Sequence, residues 1–214
     1  MNSPRFMFAL LLAHLTGGGL SLAQTLPPPP ELSGAASTQI AWASDAFATN
    51  LMADGVTTFE SSGKTIRFEI GTFMTGFDPS TEPFENWADK WVVLQGTEYN
   101  LNDQQFIETA TLYSNNDSFS IGAQAYIWGY LDKDLSQGET EWILMSSPAW
   151  TIPAANSPLP STFSVSDVRV QDVLIGSVGG PGGSYYMQLA TVPEPSTLVL
   201  GLLAGIGLAF RRRR

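Results

Sequence analysis

Asp132-Lys133-Asp134, followed closely by Glu139 and Glu141, concentrates carboxylates in one short stretch. Oxygen ligands at such spacing could hold Ca2+ in an exported loop, with Asp132 and Asp134 as the candidate ligands. A calcium loop normally adds a rigid glycine turn and further Asp or Asn, and that pattern is absent here. Lys133 also sets a positive charge inside the cluster, so a charged hairpin loop is the better account and no metal is expected. A second set, Asp78, Glu82, Glu85 and Asp89, could supply the two facing carboxylates of a glycosidase. Sequence alone shows no such pair, and a body this acidic carries solvated carboxylates in any case. The third set is aromatic: Tyr126, Trp128, Tyr130, Trp142 and Trp150. On an open sheet such rings stack on sugars; in a cysteine-free β domain they more readily form the core, because Trp and Tyr favour strands and bury large areas.

Missing residue types narrow the chemistry further. His14 is the one histidine, and it lies in the apolar N-terminal run. Histidine-dependent triads and ordinary zinc sites are therefore excluded from the body. No cysteine and no GxxxxGK[ST] phosphate loop occurs. Between Gln24 and Thr191 there are 19 acidic and 5 basic side chains, a net of −14. Such a body has no basic patch for phosphate neutralisation, so nucleic acid is not an expected partner. The expectation is a non-catalytic protein without a cofactor.

The elements that must position these residues repeat with period two. Lys64 to Ile70 alternates polar and apolar, and Gln124 to Tyr130 places Tyr126, Trp128 and Tyr130 on one side. Further strand candidates are Trp91 to Gln95, Gln105 to Tyr113, Trp142 to Met145, Thr162 to Ser166, Asp172 to Val178 and Tyr185 to Leu189. Turn signals separate them, among them Asp54-Gly55, Ser62-Gly63, Asp78-Pro79 and Asn115-Asn116-Asp117. The pattern predicts an all-β fold, an antiparallel β-sandwich or barrel-like domain over residues 37–190. A short helix is allowed over Asp45 to Met52 or Glu85 to Trp91. Roughly 150 residues are enough for a single core.

The two ends carry a different message. Arg5, the apolar run Phe6 to Leu15 and the small residues Ser21 and Ala23 predict a signal peptide over residues 1–23, cut after Ala23. Residues 24–36 contain the TLPPPP stretch and read as a Pro-rich linker. At the other end Pro193-Glu194-Pro195 precedes an uncharged run, Thr197 to Phe210, and then Arg211, Arg212, Arg213 and Arg214. Two prolines stop a helix from propagating outward past Thr197. Fourteen helical residues span about 21 Å, short of a hydrocarbon core of about 30 Å. Apolar side chains nonetheless run all round that helix, and the arginines can snorkel to the headgroups as a cytoplasmic stop.

Residues 191–214, with Pro-Glu-Pro, a transmembrane helix and an Arg cluster in that order, resemble the PEP-CTERM protein-sorting signal of Gram-negative bacteria. The segments Arg67 to Ser80, Ala125 to Tyr130 and Glu141 to Pro153 resemble elements of a recurrent domain in exported PEP-CTERM proteins. That domain brings no known activity with it. The tail resemblance implies recognition by an exosortase through Pro193, Glu194 and Pro195, with the C-terminal helix as a membrane contact before processing. Together with the signal peptide it implies export by the Sec pathway, transient anchoring in the inner membrane, and a final place on the envelope surface or in the extracellular matrix. The alternative for the body is an exopolysaccharide-binding module with Tyr126, Trp128, Tyr130 and Trp142 as stacking residues; a carboxylate-based hydrolase ranks below both.

Overall fold

The computed structural model describes residues 37–46, 48–135, 140–179 and 184–190. The expected signal peptide with Ala23, the Pro-rich linker and the tail from residue 191 onward, with its sorting motif and arginines, lie outside these residues. Among the described residues no helix is long and apolar enough to cross a membrane.

Eleven strands are described. They are β1 (Thr38–Ala43), β2 (Arg67–Phe73), β3 (Trp91–Glu98), β4 (Ile107–Leu112), β5 (Gln124–Tyr130) and β6 (Thr140–Thr151), then β7 (Ser161–Ser164), β8 (Val173–Ile175), β9 (Ser177–Val178), β10 (Tyr185–Tyr186) and β11 (Gln188–Ala190). One sheet has the order β4-β1-β7; a larger one runs β11-β6-β5-β2-β3, with β8 also paired to β6; β9 and β10 form a ribbon. Pairing is antiparallel except between β1 and β7, which run parallel. The expected all-antiparallel arrangement is corrected at that pair: β1 and β7 lie far apart in sequence, so no hairpin turn dictates their relative direction.

Period two explains the first core. Ile40 and Trp42 of β1, Ala110 and Leu112 of β4 and Phe163 of β7 pack with Phe68 and Ile70 of β2, Ala125 and Ile127 of β5, and Ile143 and Met145 of β6. The two sheets thus share one apolar layer. Its aromatic pairs include Phe68 with Phe106 at 4.5 Å and Trp42 with Phe106 at 5.0 Å. The Trp42 indole N–H donates to Gln95 Oε1 at 2.9 Å, tying β1 to β3.

Local details depart from the expectation for identifiable reasons. The Asp172 to Val178 run divides at Gly176, whose φ of +88° lies in the left-handed region, and β8 and β9 join different partners on either side. No helix forms among the described residues between Asp45 and Met52. There Asn50 is fully buried, donates to the Tyr99 hydroxyl at 2.9 Å and accepts from the Tyr185 amide at 3.3 Å. Leu51 bridges to Thr58 and Tyr186. These long-range bonds supply the backbone partners that a helix would have supplied locally. The second helix expectation is met in part: a 3-10 turn over Phe84–Asn86 leads into α1 (Trp87–Lys90), a single turn that buries Trp87.

Candidate functional site: a lysine and a carboxylate in an aromatic box

The larger sheet is buried on its second face too. Phe73 of β2, Trp91 of β3, Trp128 and Tyr130 of β5, Trp142 and Leu144 of β6, Ile175 of β8 and Ala190 of β11 form a second core with Trp87 of α1. Phe77, Phe84 and Leu135 close over it. The rings interlock: Trp128 lies 4.8 Å from Trp142 and 5.5 Å from Trp91, both edge to face, and Trp87 stacks on Trp142 at 6.4 Å.

Burial favours the core reading of these rings over the alternative of sugar stacking. Trp128 and Trp142 are 0% exposed, Tyr130 is 8% exposed and Tyr126 is half-buried. Trp128 and Trp142 present no face to a sugar, because the segment between β2 and β3 folds back across them with Phe84 and Trp87. Trp150 lies elsewhere, in the first core, stacked on Phe163 at 5.8 Å with its indole N–H donating to Asp167 at 3.3 Å.

Within the second core sits one carboxylate. Antiparallel pairing of β2 with β5 sets Glu69 opposite Trp128, and Arg67 opposite Tyr130. Glu69 Oε1 accepts from the Tyr130 hydroxyl at 2.6 Å; Oε2 accepts from the Trp91 indole N–H at 2.7 Å. Oε2 is also in direct contact with Lys133 Nζ. The Lys133 ammonium lies 4.7 Å from the Tyr130 ring centre, 4.8 Å from that of Trp128 and 5.7 Å from that of Trp91. Three electron-rich faces and a carboxylate thus surround one cation. The side chains of Lys133 and Glu69 are 21% and 15% exposed.

Electrostatics follow this burial. Desolvation pushes the Lys133 amine below its ordinary range, opposed by the hydrogen bond and negative charge of Glu69. Burial raises the Tyr130 phenol, and Glu69 raises it further by accepting its proton and repelling the phenolate. Tyr126 is raised by burial and by the charge of Asp78.

The loop that carries Lys133 is anchored by its own backbone. The Asp132 carbonyl accepts from the Trp142 indole at 2.6 Å and from the Thr140 hydroxyl at 2.9 Å. Asp132 Oδ1 accepts from the Asp134 amide at 2.9 Å, an Asx turn. The carboxylate of the first calcium candidate therefore caps a turn, and no group of three or more metal-ligating side chains is gathered among the described residues. Glu141 faces another way, accepting from the Ala53 amide at 2.6 Å. Glu139 lies outside the described residues. Of the proposed hydrolytic acids, Asp78 accepts from the Ser80 hydroxyl and amide, which hold its carboxyl below the usual range. A general acid needs the opposite shift.

Glu69, Trp91 and Lys133 were not among the sequence-derived site residues. Glu69 occupies a polar position in an alternating strand and so reads as solvent-facing, and its partner lies 64 residues away. The visible signal was Lys133 itself, a lone cation between two aspartates directly after the AYIWGY strand.

Residues 191–214 match the PEP-CTERM protein-sorting motif. No curated protein matches the chain. Among solved structures, the shaft pilin spaA from Lactobacillus rhamnosus GG is similar at 13% identity over 73% of this chain, with a TM-score of 0.28. The chain spans 50% of that pilin, and a likeness this slight carries no argument about fold or activity.

Proposed function

We propose that this is an exported, non-catalytic surface or matrix protein whose C-terminal tail directs its sorting by an exosortase. The observation that carries the reading is the sorting motif at residues 191–214. In it Pro193, Glu194 and Pro195 form the recognition segment, Thr197 to Phe210 the transient membrane helix, and Arg211 to Arg214 the cytoplasmic stop. The N-terminal run ending at Ala23 supports entry into the Sec pathway. The β-sandwich body is the delivered cargo. Its aromatic residues support a stabilising role, since Trp128 and Trp142 have no exposed surface. Exopolysaccharide binding through those rings has no such support.

Replacing Pro193-Glu194-Pro195 with alanines tests the reading. The expected result is an unprocessed species that keeps its tail and stays with the inner membrane, seen by intact mass and cell fractionation. Unchanged processing and final location would overturn it.

A further inference from the structure

Lys133 and Glu69 are arranged as reactants as much as an ion pair. The amine nitrogen touches Oε2, both oxygens of the carboxyl are held by fixed donors, and three rings flank the nitrogen and cover most of the Lys133 side chain. We propose that Glu69 and Lys133 are joined by a side-chain amide, formed without an added enzyme, that staples β2 to the loop between β5 and β6.

The step balances within the pair. A proton passes from the ammonium to Oε2, giving the neutral amine and the carboxylic acid that the condensation requires. The burial that depresses the Lys133 amine acts in the same direction. The Nζ lone pair attacks Cδ, and the Tyr130 hydroxyl stabilises the charge that develops on Oε1, as an oxyanion donor does. The Cδ–Oε2 bond then breaks, and Oε2 leaves as water with a second proton from Nζ. Carboxylate and ammonium thereby become amide and water, with no oxidant or co-reactant.

Condensation of a free acid with a free amine is slow in water. Holding the groups in contact changes that, since effective molarities of about 10^5–10^8 M are reached when reacting atoms are fixed in place. A groove of about 240 Å3, lined by Arg67, Glu69, Gly96, Thr97, Glu98 and Tyr130, gives the released water a way out. The cross-link would close a chain segment of 64 residues in an exported protein that has no cysteine to do so.

The test is a tryptic map of the full chain purified from its host and denatured before digestion. With the amide in place, trypsin does not cut after Lys133. The peptide 68–90 is then recovered joined to the uncut peptide 91–169, lighter than their sum by one water, and fragmentation places the link at Glu69 and Lys133. Lys133→Arg, which keeps the charge but cannot be acylated, should release 68–90 as a free peptide and restore cleavage at position 133. Free 68–90 of unmodified mass from the wild-type chain, with complete cleavage after Lys133, would overturn the proposal whether or not any variant folds.

Discussion

Trp128→Ala separates a load on the core from a role in binding. Trp128 is 0% exposed and packs edge to face against Trp87, Trp91, Tyr130 and Trp142, with centroids 4.8–6.3 Å away. Its indole N–H has no hydrogen-bond partner among the described residues, so truncation removes packing and leaves a cavity. Trp-to-Ala changes of this kind cost about 3–5 kcal/mol. Against a total of about 5–15 kcal/mol for a domain, the variant loses about a fifth or more of its stability. With a urea slope of about 2 kcal/mol/M, the midpoint should fall by about 2 M. The assay is urea unfolding followed by tryptophan fluorescence. Tyr113→Ala serves as a control, since Tyr113 is 71% exposed and its loss should cost about 0.5 kcal/mol or less. The reasoning would be refuted by a Trp128→Ala midpoint within about 0.3 M of wild type, above all if polysaccharide binding vanished at the same time.

Gly129→Ala should destabilise by about 1–3 kcal/mol, the range for overpacked cores. Its Cβ would stand 2.4 Å from the Phe68 ring and 2.8 Å from Ile143; a melting temperature equal to wild type would contradict that packing. Alkaline pH should weaken the fold through Tyr99, Tyr130 and Tyr185, all raised chiefly by burial. A raised folded pKa gives stability that is fully present below the unfolded tyrosine value of about 10 and is lost as pH climbs through the folded value. Unfolding midpoints measured from pH 8 to pH 11.5 should therefore hold and then fall above about 10; a rise across that window would sink the assignment.

Much of the strand content was legible because a half-buried strand writes its environment into alternate residues. Gln124–Tyr130 appears with the bounds read from sequence, whereas Thr38–Ala43 was absorbed into the start of the domain without being recognised as a strand. It alternates Ile40 and Trp42 inward, yet both of its partners, β4 and β7, are remote in the chain. Alternation also marks which residues share a face. It did not reveal that the larger sheet is covered on both faces, because the cover comes from Phe77, Phe84 and Trp87, whose spacing follows neither strand nor long-helix period.

By itself the sequence determined what is read along the chain in order: the sorting motif at its C-terminal end, the all-β character of the body, its acidity, and the absence of cysteine. These depend on neighbours in sequence, so composition and spacing suffice. Only the tertiary structure decided that the aromatic stripe is sealed rather than open, that β1 meets β7 in parallel, and that Glu69 meets Lys133 inside three rings. Each of those depends on strand register and on which segment folds over which face. Register between residues 64 apart is set by the summed packing of two cores, which no local pattern encodes.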